Sequence, residues 1–211
     1  MNQADQADRV ARLLSLDPAR VAVLLIDFQH DFCGPGALSN ARTALLANGF
    51  AEQAARFGIR VVYSQQVLDL DRLTSRQRRW EREGGLCAAG SRGAELFVEP
   101  VAGARVVRKD RFDIWQSREF LAVLDEWEID GLVLGGVELQ CCVLHATLGA
   151  EERGFHYVVP QDLVSGIDRC DETSNRAVRD YLRFAHPSPE SAQELLTGWQ
   201  GRGLLSGRAK P

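Results

Sequence analysis

Short apolar runs rich in Val, Ile and Leu alternate along this chain with stretches long enough for a helix, and this alternation constrains the fold more than any other feature. Runs at 21–27, 59–64, 105–109, 131–135 and 156–160 read as strands, two of them almost wholly apolar, as strands buried on both faces are. Helical stretches at 41–57, 117–127, 142–153 and 173–184 lie between or after them, each long enough for a crossover. The pattern predicts an α/β three-layer fold: a central, mostly parallel sheet flanked by helices and joined by right-handed connections. A single domain over 1–211 fits the length. Residues 68–93 break the rhythm, with many charges, a Gly-Gly pair and no strand-like run, and are read as a lid-like excursion. Pro187 and Pro189 mark a break before a last short helix, and 201–211 reads as a frayed tail.

Charge and composition narrow the function classes. Lys plus Arg is 25 and Asp plus Glu is 29, a formal balance of −4, so neither nucleic acid nor an anionic membrane is expected as a partner. The apolar run at 21–26 is far shorter than the roughly 20 residues that span a bilayer. The polar, charged stretch MNQADQADRVARLLSLD has no apolar signal core, and the cytoplasm is the expected location. Five cysteines, Cys33, Cys87, Cys141, Cys142 and Cys170, form no C-x-x-C pair, which supports neither a disulfide framework nor structural zinc.

In open parallel sheets the ligand crevice lies beyond the carboxyl ends of the strands. Asp27 ends the first strand, Lys109 ends the third, and Cys142 follows the glycine-rich exit of the fourth as the next helix begins. A carboxylate beside a thiol can take its proton, an ammonium keeps the pair charged, and a helix N-terminus favours both a thiolate and an oxyanion. Each residue has a plainer reading as well. An Asp after a strand is commonly a turn or cap residue, Lys109 lies in a charged RKDR cluster, and a free Cys is commonly a small buried hydrophobe. The functional case rests on the three together.

Three segments carry a family resemblance: LLIDFQHDFCGPGAL, VVRKDRFDIW and LVLGGVELQCCVLHATLGAEERGFHYVVPQD. In that order and separation they resemble the isochorismatase-like cysteine hydrolases, which include nicotinamidases and N-carbamoylsarcosine amidohydrolase, over about residues 21–184. The resemblance implies Asp27 as catalytic base, Lys109 as its charge partner, and Cys142 rather than Cys141 as nucleophile, with Gly154 and Asp162 in register. It places Phe32 on the pocket wall and gives Trp115 the role of the aromatic that follows the lysine. It also implies a non-proline cis peptide at Val137–Glu138 and an oxyanion hole made by the backbone N–H groups of Glu138 and Cys142.

Some positions depart from the family pattern. Leu139 and Ala146 stand where many relatives have threonines, and YSQQVLDLDRL lacks the Asp-x-His pair that holds a divalent metal in nicotinamidases. No metal and no other cofactor is therefore expected. The reading that follows is a cysteine amidohydrolase that cleaves a C–N bond of a small amide or carbamoyl compound through a thioester, with a homo-oligomeric state expected. Two alternatives remain open: a vinyl-ether hydrolase of the isochorismatase kind using Asp27 without the cysteine, and a non-catalytic oligomeric scaffold. In the excursion, SRQRRWEREGG reads either as a solvated helix with Glu interleaving Arg, or as a lid whose arginine grips a substrate carboxylate.

Overall fold

The computed structural model describes residues 3–75, 86–166 and 172–203. Strands β1 (Val21–Ile26), β2 (Arg60–Gln66), β3 (Arg105–Lys109), β4 (Gly131–Gly136) and β5 (His156–Val158) form one sheet in the order β3-β2-β1-β4-β5. All its pairings are parallel, which is stricter than the mostly parallel sheet expected. From β1 the chain winds outward through β2 to β3, then crosses back to lay β4 on the other side of β1. That reversal opens a crevice beyond the carboxyl ends of β1 and β4.

The seven α-helices among the described residues are α1 (Gln3–Ser15), α2 (His30–Cys33), α3 (Leu38–Ala55), α4 (Arg118–Glu126), α5 (Leu144–Glu152), α6 (Glu172–Ala185) and α7 (Gln193–Gly201). None of the described helices is long and apolar enough to cross a membrane. β1 alternates its side chains between two apolar layers. Val21, Val23 and Leu25 pack with Leu13 of α1, Ala47 of α3 and Trp199 of α7. Ala22, Leu24 and Ile26 pack with Phe120 of α4, Ala146 of α5 and Leu182 of α6. Burying each such Leu or Ile contributes about 1.5–3 kcal/mol, which is why a fully apolar strand takes the centre of the sheet.

The sequence expectation missed α1 and misplaced several ends. β2 runs on to Gln66 because Gln65 and Gln66 pair with Arg108 and Lys109 of β3. β5 stops at Val158, since Val159 N–H and Gln161 N–H bond to Pro187 O and Pro189 O rather than to a strand. Cys142 does not open an α-helix: it lies in a wider π-helical turn, Leu139–Val143, that leads directly into α5. The described ends of the excursion lie against each other, with Leu68 N–H donating to Cys87 O and Ala89 N–H to Leu68 O. Arg76, Arg78, Arg79, Trp80 and Arg82, the core of the Arg-rich run, are outside the described residues, as is most of the expected tail.

Candidate active site

Asp27 leaves β1 at φ 55°, a left-handed backbone that aspartate tolerates better than most residues, and its side chain is fully buried. Gly136 ends β4 beside it at φ 146°, where a Cβ would lie 2.5 Å from Ile26 O. The two central strand exits therefore approach each other because one of them has no side chain. Lys109 at the end of β3 reaches inward: its Nζ lies 2.6 Å from Asp27 Oδ2 and 3.4 Å from Cys142 Sγ. It also donates to Arg111 O at 3.0 Å and to Gln66 Oε1 at 3.3 Å. Ser64 Oγ donates to the other Asp27 oxygen, Oδ1, at 2.7 Å. Three side chains far apart in the chain thus meet beyond the strand ends, almost out of solvent: Cys142 is 3% exposed and Lys109 5%.

Burial pushes the Cys142 thiol well above the usual thiol range, and the negative charge of Asp27 adds to it, while Lys109 pulls the other way. The net upward direction favours the neutral thiol. Burial also works against the Lys109 ammonium, but the charge of Asp27, together with the hydrogen bonds to Asp27 and Cys142, outweighs it and raises the amine. A buried ammonium–carboxylate pair with a neutral thiol in contact is an arrangement in which the sulfur becomes nucleophilic only as its proton leaves for the carboxylate.

The loop after β4 has a cis peptide between Val137 and Glu138. Val137 N–H donates to Ile26 O, Leu139 N–H to Ser165 O, and Glu138 O accepts from Cys141 N–H and Val143 N–H. Phe32 is half-buried and, with Asn40 and Glu138, lines a cavity of about 530 Å³. Lys109 borders a second cavity of about 580 Å³, with Arg72, Arg111 and Arg118 on its walls.

Trp115 is not brought to either cavity. Its ring packs on Phe120 and Phe155 beneath Arg153, and its indole N–H donates to Ala146 O at 3.0 Å. The aromatic after Lys109 that does reach solvent is Phe112, 54% exposed and tilted against His145 one turn beyond Cys142. Asp162 lies apart as well, its carboxylate accepting from Ala192 N–H and Ser191 Oγ just before α7.

Four residues at the site were missed by sequence reasoning: Ser64, Gln66, Gln29 and Asn40. Gln66 Oε1 lies 3.9 Å from Cys142 Sγ as well as on Lys109. Gln29 donates to Gln66 O and Ala94 O and accepts from Gln66 N–H, tying the β1 exit to the end of β2. Ser64 and Gln66 could have been found by interrogating every strand end for polar residues, amides and hydroxyls included.

The divalent metal of the nicotinamidase branch does not fit these residues. Among the described residues no group of three or more His, Cys, Asp or Glu could hold a metal ion. The end of β2 offers the amides Gln65 and Gln66, whose polar atoms are engaged by Ala94 O and Lys109.

A family model, the isochorismatase domain, matches residues 21–188, most of the chain and all the strands that carry this site. The chain belongs to the isochorismatase family. As an isochorismatase-family hydrolase it has solved relatives of the same fold. One is a cysteine hydrolase from Pseudomonas syringae pv. phaseolicola 1448A, with TM-score 0.77, 16% identity, and 88% of this chain and 95% of that one covered. Another is an isochorismatase family protein from Desulfovibrio vulgaris subsp. vulgaris str. Hildenborough, with TM-score 0.70, 25% identity and coverages of 87% and 97%. A third is N-carbamoylsarcosine amidase from Thermoplasma acidophilum, with TM-score 0.65, 23% identity and coverages of 81% and 94%. The isochorismatase-family residues 21–188 leave α1 and α7 outside the match, although both complete the core.

Proposed function

We propose that this isochorismatase-family hydrolase is a cysteine amidohydrolase that cleaves the C–N bond of a small amide or carbamoyl compound through a thioester, without a metal. The observation that carries the reading is the Lys109 ammonium, within contact of both the Asp27 carboxylate and the Cys142 sulfur. A paired carboxylate next to a neutral thiol supplies a base for the sulfur, and the cation stays beside the negative charge whether it sits on the carboxylate or on the sulfur.

In the proposed sequence the Cys142 proton passes to Asp27 as the sulfur bonds to the substrate carbonyl carbon, and the carbonyl π pair becomes an oxyanion. The N–H groups of Glu138 and Cys142 hold that oxyanion. Its collapse breaks the C–N bond, and Asp27 returns the proton to the departing nitrogen as ammonia or amine. Water then adds to the thioester carbonyl, giving its proton to Asp27. The C–S bond breaks, the acid leaves, and the sulfur recovers the proton.

The test is a screen of small amides, ureas and carbamoyl acids for ammonia release, repeated with Cys142→Ala and Asp27→Ala. Both variants should lose release of ammonia from any substrate the wild type accepts. Retention by Cys142→Ala alone would remove the thioester and leave chemistry that depends on the carboxylate.

A further inference from the structure

We propose that Asn40 is a positioning residue for the oxyanion-binding end of the site: its amide ties Glu138 to the turn that carries Phe32 and so fixes where the Glu138 N–H points. The inference rests on the cysteine-hydrolase reading above. Asn40 lies in the first turn of α3 and is 1% exposed. Its Nδ2 donates to Phe32 O at 2.9 Å and to Glu138 Oε1 at 3.0 Å. Both neighbours are acceptors, so the orientation of the amide is set by chemistry: the two N–H bonds face them, and Oδ1 faces away. Among the described residues Oδ1 is buried with no hydrogen-bond partner. A buried acceptor left unmade is unfavourable, so what the fold gains from an amide here is its donor end.

That donor end joins the two strand exits between which the site forms. Phe32 follows β1 and the base Asp27; Glu138 follows β4 and precedes the Cys142 turn. Backbone bonds already hold both neighbours of Glu138, through Val137 N–H on Ile26 O and Leu139 N–H on Ser165 O. Glu138 O is itself held by Cys141 N–H and Val143 N–H, and the Asn40 contact adds a restraint on the Glu138 side chain. An oxyanion donor acts through its aim, and a shift of a fraction of an ångström weakens it without disturbing the nucleophile.

This separates two reactions of the same sulfur. Alkylation of Cys142 by iodoacetamide displaces iodide at an sp³ carbon and forms no oxyanion. Addition of propionaldehyde forms a C–S bond as the thiol proton passes to Asp27 and the carbonyl π pair becomes an oxyanion, so the aldehyde protects Cys142 from alkylation to the extent that the oxyanion site is formed. Labelling is read by mass spectrometry of the Cys142 peptide in wild type, Asn40→Ala and Asn40→Asp. In both variants the half-protecting aldehyde concentration should rise about tenfold or more, while alkylation without aldehyde stays within about twofold of wild type. Adding Glu138→Gln to Asn40→Asp restores a donor–acceptor pair in the reverse sense and should recover part of the protection.

Unchanged protection in Asn40→Ala and Asn40→Asp would overturn the assignment. So would a parallel change in alkylation and protection, which would make Asn40 merely structural, and so would a double variant no better than Asn40→Asp. A wild-type Cys142 that is neither alkylated nor protected would instead defeat the cysteine-hydrolase reading itself.

Discussion

At Cys142 burial and the Asp27 carboxylate act in one direction and Lys109 in the other, so removing each charge has an opposite consequence for the sulfur. Asp27→Asn deletes a charge that raises the thiol while leaving the Lys109 ammonium that lowers it. Asp27→Asn also removes the proton acceptor, so ammonia release should fall by roughly 10²–10⁴-fold; release close to that of wild type would mean that Asp27 is not the base. Lys109→Met leaves a fully buried carboxylate without its cation. A loss of about 3–5 kcal/mol in urea unfolding is expected, because an uncompensated buried charge costs more than the pair contributes.

Among the elements, the exits of β1 and β4 matter more than the strands themselves. Gly136→Ala would set a Cβ against Ile26 Cβ and O, both at 2.5 Å, in a backbone that side chains avoid. Urea unfolding should show a loss of about 2–4 kcal/mol, and turnover should fall with it, since the shift falls between Asp27 and the Cys142 turn. Asp27, Lys109 and Cys142 were legible because charged or thiol side chains directly after apolar runs stand out, and the strand-exit rule says where they go. Gln66 and Ser64 were not, since amides and hydroxyls near a strand end are ordinary on both buried and exposed surfaces. Trp115 carries the family spacing, yet the ring is held in the core under α5, where Gly149 leaves room for it: a Cβ there would lie 2.1 Å from the indole. Spacing along the chain does not report which face of a short 3₁₀ turn, Ile114–Gln116, is turned inward. α1 escaped notice because its apolar residues, Val10, Leu13 and Leu14, are few among charges, and only the partner layer shows that Leu13 is buried.

For the whole molecule, the helices outside the family match are part of the stability of the site's platform. Trp199 of α7 is fully buried against Phe50 and Phe57 of the α3 layer, and Arg202 just beyond it donates to Leu16 O and Ser15 O at the end of α1. Trp199→Ala should cost about 3–5 kcal/mol in urea unfolding; a change below about 1 kcal/mol would mean that α7 is an appendage. The buried pair also sets a pH dependence. The amine of Lys109 and the thiol of Cys142 are both raised in the folded state, so their stabilisation is complete below the unfolded values and is lost as pH rises through the folded ones. Stability should therefore decline on the alkaline side of the ordinary thiol value of 9.0, and less steeply in Cys142→Ala. Urea midpoints at rising pH read this directly.

The covalent step on Cys142 is reached by rapid acid quenching. The protein is mixed with an amide it hydrolyses, quenched within one turnover and digested, and the peptide containing Cys142 is weighed. This peptide should carry the substrate's acyl group, and Cys142→Ala should neither form the adduct nor turn over. Steady hydrolysis with no adduct at any quench time, together with an active Cys142→Ala, would contradict the covalent step.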